Sequence, residues 1–150
     1  MYKKFIKRFL DIVLSFAALI FFAVPMIIFA LIIKHEDKGK AFFTQKRVGL
    51  HKKIFKIYKF RSMKNSTPHD TPTHLLKNPE QYILKCGRWI RKYSIDELPQ
   101  IINVLKGDMS IVGPRPALWN QFDLIAERDK YGANDIKPGL TGWAQINGRD

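Results

Sequence analysis

The sequence predicts an α+β protein. A re-entrant membrane helix, broken at Pro25, occupies residues 1–33, and one small, mostly helical cytoplasmic domain with a short β-hairpin occupies residues 34–150. Three observations carry this reading. The chain has one long apolar run, Ile12–Ile33. Two short strand-like stretches follow it, separated by a turn-like tetrapeptide. Farther on, apolar residues recur at the helical spacing i, i+3, i+4, i+7.

The apolar run comes first. Its 22 residues contain one polar member, Ser15, and no charge. Crossing the hydrocarbon takes about 20 apolar residues, so a retained membrane segment is expected rather than a soluble core helix. A cleaved signal peptide fits poorly, because the run is too long for one and no small-x-small site follows Ile33. Both flanks are basic: Lys3, Lys4, Lys7 and Arg8 precede the run, and Lys34, Lys38, Lys40, Lys46, Arg47, Lys52 and Lys53 follow it. A simple span is asymmetric in Lys and Arg, whereas here both ends seek the anionic cytoplasmic face. Pro25 divides the run into 13 and 8 residues, helices of roughly 20 Å and 12 Å, neither long enough to cross alone. A helix–break–helix that dips into one leaflet fits the charge, the lengths and the proline. A single kinked span is the competing reading.

The soluble part opens with two strands, Ala41–Gln45 (AFFTQ) and Ile54–Arg61 (IFKIYKFR), joined across Val48-Gly49-Leu50-His51. Alternation puts Phe55, Ile57, Lys59 and Arg61 on one face. Two cations thus end an apolar stripe, an arrangement that suits a phosphate and equally a solvated strand end. Residues 64–80 carry three Pro among small polar side chains and read as a loop.

Next, Leu98, Ile101, Ile102 and Leu105 mark one helix face, with Gly107 as its stop and Pro99 in its first turn. The helix should therefore begin near Asp96, with Asp96 and Glu97 at its positive end. In one reading these acids cap the helix, Ser94-x-x-Glu97 resembling a capping box. In the other they hold a metal ion and stay ionised. The surrounding cations weigh toward the second: Arg88, Arg91 and Lys92 precede the pair, and Arg115 follows between two prolines in Gly113-Pro114-Arg115-Pro116. Guanidinium groups bind phosphate oxygens bidentately. Carboxylates among them would hold Mg²⁺ or attack a phosphorus atom. Lys137–Arg149 adds Gly-rich turns and another arginine, without the signature of a Walker A loop or a dinucleotide fingerprint.

Composition narrows the remaining classes. The net charge is +13, and it is lopsided: residues 1–75 hold 15 Lys/Arg against 4 acids, residues 76–150 hold 11 against 9. A hydrophobic content of 46% excludes a disordered polybasic tail. The single cysteine, Cys86, excludes a disulfide framework and a multi-cysteine metal site. A non-enzymatic basic module for nucleic acid or anionic lipid would explain the charge. It would explain neither the acidic pair between Arg91 and Arg115 nor the apolar run, so no nucleic-acid partner is expected.

Four stretches resemble the bacterial sugar transferase family, the monotopic phosphoglycosyl transferases that act on undecaprenyl phosphate. They are FFTQKRVGL (42–50), KIFKIYKFRSM (53–63), RKYSIDELPQIINVLKGDMSIVGPRP (91–116) and KPGLTGWAQINGR (137–149). The resemblance implies a re-entrant membrane helix and a two-step transfer. A carboxylate matching Asp96 attacks the sugar-bearing phosphate of a UDP-sugar, UMP leaves, and undecaprenyl phosphate takes the sugar-phosphate from the enzyme. It further implies a dyad of Asp96 and Glu97 with Mg²⁺, those two acids being the candidate ligands. Arg91 and Arg115 are expected to hold phosphates, and Lys59, Arg61 and Arg149 match family motifs too, as further candidates for binding phosphate or substrate. The implied setting is the bacterial inner membrane, with membrane lipids as partners and the catalytic domain on the cytoplasmic face. There the reaction would be the first membrane step of exopolysaccharide, capsule, O-antigen or glycoprotein glycan assembly. A homo-oligomer is compatible with this. The chain departs from the family in two places: Val24 stands where members often have Ser before the membrane proline, and the family pattern normally continues for several dozen residues past Arg149, so its C-terminal part is missing after Asp150.

Overall fold

The structure is a computed structural model that describes residues 5–68, 71 and 73–148. It is a mixture of helix and sheet, as the sequence predicts. The apolar run lies in one helix, α1 (Lys7–Glu36), which is long and apolar enough to cross a membrane. Phe16, Phe21, Val24, Ile28 and Leu31 project from it exposed, as lipid-facing side chains would. The expected interruption at Pro25 is not there: the helix continues through the proline. The ring fixes φ at a helical value and removes a single intrahelical hydrogen bond, and the apolar turns on either side carry the helix past that loss. Lys3 and Lys4, counted in the first basic flank, lie outside the described residues.

The chain divides into two compact units. One holds residues up to Phe21, Lys46–Ile57 and the residues from Gln100 on; the other holds Phe22–Gln45 and Tyr58–Pro99. The expected hairpin is present as β1 (Phe42–Val48) and β2 (Ile54–Phe60), neighbours in a two-stranded sheet. Its turn includes His51 and Lys52 in the left-handed region, at φ 53 and 61.

In the first unit the core gathers Ile57, Val104 and Met109, with Phe55 and Ile111 packed against them. Residues Gln100–Lys106 form the helix α3, and Gly107, at φ 94, ends it as the sequence predicts. Asn103, fully buried, donates from Nδ2 to the Lys56 carbonyl at 2.8 Å, and its own carbonyl accepts from Gly107, Asp108 and Met109. Beyond α3 come β3 (Ser110–Val112), the helix α4 (Phe122–Lys130), β4 (Gly139–Thr141) and the short helix α5 (Trp143–Asn147). β3 and β4 pair in parallel, Ser110 opposite Gly139 and Val112 opposite Thr141. Glycine is required at 139, because a Cβ there would overlap the backbone of Gly113. The first turns of α1 join this unit: Arg8 donates to the carbonyls of Val104 and of Leu105 (2.8 Å) at the C-terminal end of α3, and buried Asp11 accepts from Ser110 Oγ at 2.8 Å and Ile111 N at 3.1 Å.

In the second unit the residues that leave α1 meet the end of β2 and the helix α2 (Lys85–Lys92). Arg61 N donates to Ala41 O at 2.8 Å, and Met63 and Ile83 form a bridge. Phe29 of α1 stands 6.4 Å from Phe60 and 5.8 Å from Trp89, ring centre to ring centre. Phe60 and Ile90 are fully buried.

Candidate active site

The acidic pair lies in the second unit, at the end of a continuous hydrogen-bonded path that starts with α2. Arg91 occupies the last turn of α2. Ser94 then takes a left-handed backbone, φ 55, and turns the chain into a single 3-10 turn, Ile95–Glu97. Ser94 N donates to Arg91 O, Glu97 N to Ser94 O and Leu98 N to Ile95 O. Asp96 and Glu97 therefore precede α3, and the helix predicted to begin near Asp96 begins at Gln100 instead. The left-handed residue closes a tight turn around the acids, and Pro99, which has no N–H to offer, stands immediately before the helix. Ser94 makes no side-chain cap to this turn, so the capping-box reading is not what the backbone does.

Two cations face the pair. Lys59, near the end of β2, donates from Nζ to Glu97 Oε1 at 3.1 Å, and both side chains are mostly buried. Asp96 is half-buried, and burial pushes its carboxyl above the ordinary aspartate value. The Lys59 charge pulls it down, Glu97 pushes it up and Arg91 pulls it down, but burial prevails. A carboxyl that is desolvated and also charge-coupled to specific neighbours is the pattern found at functional sites.

Arg61 is buried and committed to the exit of α1: its Nη1 donates to Asp37 Oδ2 at 2.8 Å and its Nη2 to the Asp37 carbonyl. Arg115 belongs to the first unit, on a loop fixed by its neighbours: Gly139 N donates to Pro114 O at 2.9 Å, and Arg47 Nη1 to Pro116 O at 3.0 Å. Pro25 lies within α1, and Arg149 lies outside the described residues. Glu36 and Asp37 were missed by the sequence reading. The available signal was two adjacent acids in an otherwise basic flank, which a count of cations passes over.

Among the described residues no three or more His, Cys, Asp and Glu side chains gather as a metal cage. Magnesium seldom needs one, since it keeps several waters and takes one or two carboxylates plus substrate phosphates. Asp96 and Glu97 fit that donor set, and a dication would favour the ionised Asp96 carboxylate that burial disfavours.

Comparison with known proteins extends these observations. The model of a family described as bacterial sugar transferase matches residues 2–150. An uncharacterized sugar transferase of Bacillus subtilis (strain 168), EpsL, is 43% identical over 145 residues, which is 97% of this chain and 70% of that protein. A UDP-N-acetylgalactosamine-undecaprenyl-phosphate N-acetylgalactosaminephosphotransferase of Aeromonas hydrophila is 42% identical over 95% of this chain. A UDP-glucose:undecaprenyl-phosphate glucose-1-phosphate transferase of Escherichia coli (strain K12) is 39% identical over 97% of it. The chain spans only 34% and 32% of these last two relatives.

Proposed function

The chain belongs to the bacterial sugar transferase family, and from that premise we propose that it transfers a sugar-1-phosphate from a UDP-sugar to undecaprenyl phosphate, giving undecaprenyl diphosphate-sugar and UMP. A carboxylate oxygen of Asp96 attacks the β-phosphorus of the donor, the one bonded to the sugar. The bond from that phosphorus to the bridging oxygen breaks, and UMP leaves with the oxygen. The sugar-phosphate stays on Asp96 as an acyl phosphate. An oxygen of undecaprenyl phosphate then attacks the same phosphorus, and Asp96 departs as a carboxylate.

The observation that supports this reading best is the half-buried Asp96 beside Glu97, Lys59 and Arg91. A poorly solvated carboxylate is more basic than one in water, and so a better nucleophile. Lys59 orients Glu97 and, with Arg91, offsets the negative charge that the diphosphate brings. Asp96 and Glu97 are the residues that would hold a magnesium ion, whose charge stabilises the diphosphate and the leaving UMP. Arg115, and Arg149 by the motif it ends, are read as further phosphate contacts. Arg61 is read as a strut, since its guanidinium is engaged by Asp37.

Residues 1–33 are read as the membrane segment and residues 34–150 as the catalytic part, on the cytoplasmic face of the inner membrane. Support comes from the flanks of α1, which also carry side chains committed to the protein. Arg8 and Asp11 near its start bond to residues 104–111, and Glu36 and Asp37 at its end bond to residues 61–86. The basic residues on both flanks of the apolar run favour placing both ends of α1 on the cytoplasmic side, the arrangement of a re-entrant segment.

The test separates covalent from direct transfer. With a UDP-sugar alone, the wild-type protein should release UMP in an amount comparable to enzyme, and mass spectrometry should find the sugar-phosphate on Asp96. Asp96→Asn should release none, a loss of at least ~10³-fold in transfer. UMP release that strictly requires the lipid, or an active Asp96→Asn protein, would rule the covalent route out.

A further inference from the structure

The carboxylate of Glu36, the last residue of α1, reaches the first turn of α2. Its Oε2 accepts the Cys86 N–H at 2.8 Å and its Oε1 accepts the Lys85 N–H. These are the first two residues of α2, and Leu84, at the N-cap position, supplies no side-chain cap of its own. An eight-residue helix is marginal without outside support, and an anion at its N-terminus is favourable. The cap is therefore borrowed from the end of the membrane helix.

A second contact fixes direction as well as position. Trp89 of α2 packs its ring 5.8 Å from Phe29, two turns before Glu36 on α1, and Phe29 also meets Phe60, the neighbour of Lys59. Gly87 leaves α2 no room to slide, since a Cβ there would overlap the Ser62 carbonyl. From this seat the hydrogen-bonded path already described runs through Arg91 and Ser94 to Asp96 and Glu97. Asp37, next along the chain, holds Arg61, two residues after Lys59. Both elements that bring cations to the acidic pair are thus fastened to the last turns of α1.

We propose that Glu36 is a positioning residue: by capping α2 it sets Arg91 and the Ser94–Glu97 turn, so that the geometry of the acidic pair depends on how the membrane helix is seated. The link to catalysis rests on the function proposed above; the link to the turn does not. The test therefore has two readouts on the full chain in detergent, for wild type, Glu36→Gln and Glu36→Ala. Gln keeps the length and one acceptor, and covers the case in which the Ala protein does not fold. By hydrogen–deuterium exchange, Glu36→Gln should speed exchange several-fold across residues 85–97, including the distal 94–97 stretch, while residues 100–112 are unchanged. Release of UMP from a UDP-sugar should fall ~10- to 100-fold in kcat, the scale of a small misplacement of reacting groups, with Glu36→Gln losing less than Glu36→Ala. Faster exchange confined to residues 85–88, with kcat intact, would make Glu36 a local cap and overturn the proposal; so would no change in exchange at all. A wild type that releases no UMP while exchange spreads to residues 94–97 would fail the proposed function and leave the positioning role standing.

Discussion

At the start of α1, Arg8 donates to the carbonyls that end α3, and Asp11 is buried beneath Ser110 and the Ile111 amide. At its other end, Glu36 accepts the amides that begin α2, and Asp37 takes the guanidinium of Arg61. The signs follow the helix dipole: a cation goes to a helix C-terminus and an anion to an N-terminus. The two ends nevertheless differ in kind. The first is a sealed network, in which Lys7 donates to Ser110 Oγ and Ser110 Oγ donates to Asp11, with Asp11 almost wholly out of water. The second is more open, with Asp37 partly exposed and Glu36 exposed. The comparison teaches that the flanking charges of a membrane segment do not all answer to lipid. Some are commitments to the protein, and their sign is dictated by the helix end they meet.

Breaking the sealed end should have the largest effect. Asp11→Ala strands the Ser110 hydroxyl proton and the Ile111 amide and takes the Asp11 charge away from Lys7. The expected loss is about 3–4 kcal/mol in denaturant unfolding. Asp11→Asn should recover little of it, because its amide group would turn a donor toward one of two donors. A loss under about 1 kcal/mol would mean that the two ends are alike.

This difference marks the boundary of what the sequence reveals. The hairpin is legible because alternation is local, and Gly107 is legible as a stop because a left-handed residue after a helical pattern favours glycine. The acidic pair is legible as a chemical site because Asp96-Glu97 stands amid arginines within one stretch. The partners of Arg61 are not legible. Its place beside Lys59 on an apolar stripe pointed to phosphate, and only the chain's return from α1 brings Asp37 to it. Nor is the β3–β4 pair legible, since three-residue strands carry no period and their parallel register rests on the contact of Gly113 with Gly139. α3 starts four residues past the place its sequence pattern predicts, because the left-handed Ser94 reads, in sequence, as an ordinary cap.

A middle-sized effect would sharpen the comparison at the first end. Arg8→Ala removes two donors and a cation from the end of α3, at an expected cost of about 1–2 kcal/mol in the same unfolding experiment. Arg8→Lys keeps the charge but not the fork, and should lose about half as much. Equal losses for the two variants would show that geometry matters here and the dipole does not.

The smallest effect has the opposite sign, and it separates the charges at the ends of α1 from the charge at the acidic pair. Burial raises the Asp96 carboxyl in spite of Lys59 and Arg91, so the folded protein binds this proton more tightly than the unfolded chain does. For such a group, stability falls as pH rises from the unfolded value through the folded one, and the ionised carboxylate is a net cost at neutral pH. Asp96→Asn keeps the shape and removes the charge. At pH 7 it should therefore melt higher than wild type, while losing transfer altogether. On acidification below the ordinary aspartate value, both forms are neutral at this position and the difference should vanish. A site that stabilised the fold would behave as the ends of α1 do, and its neutral variant would melt lower at pH 7. That result would mean Lys59 and Arg91 outweigh burial, and Asp96 would then be a structural ion-pair member like Asp11, not a carboxylate kept at the expense of stability for chemistry.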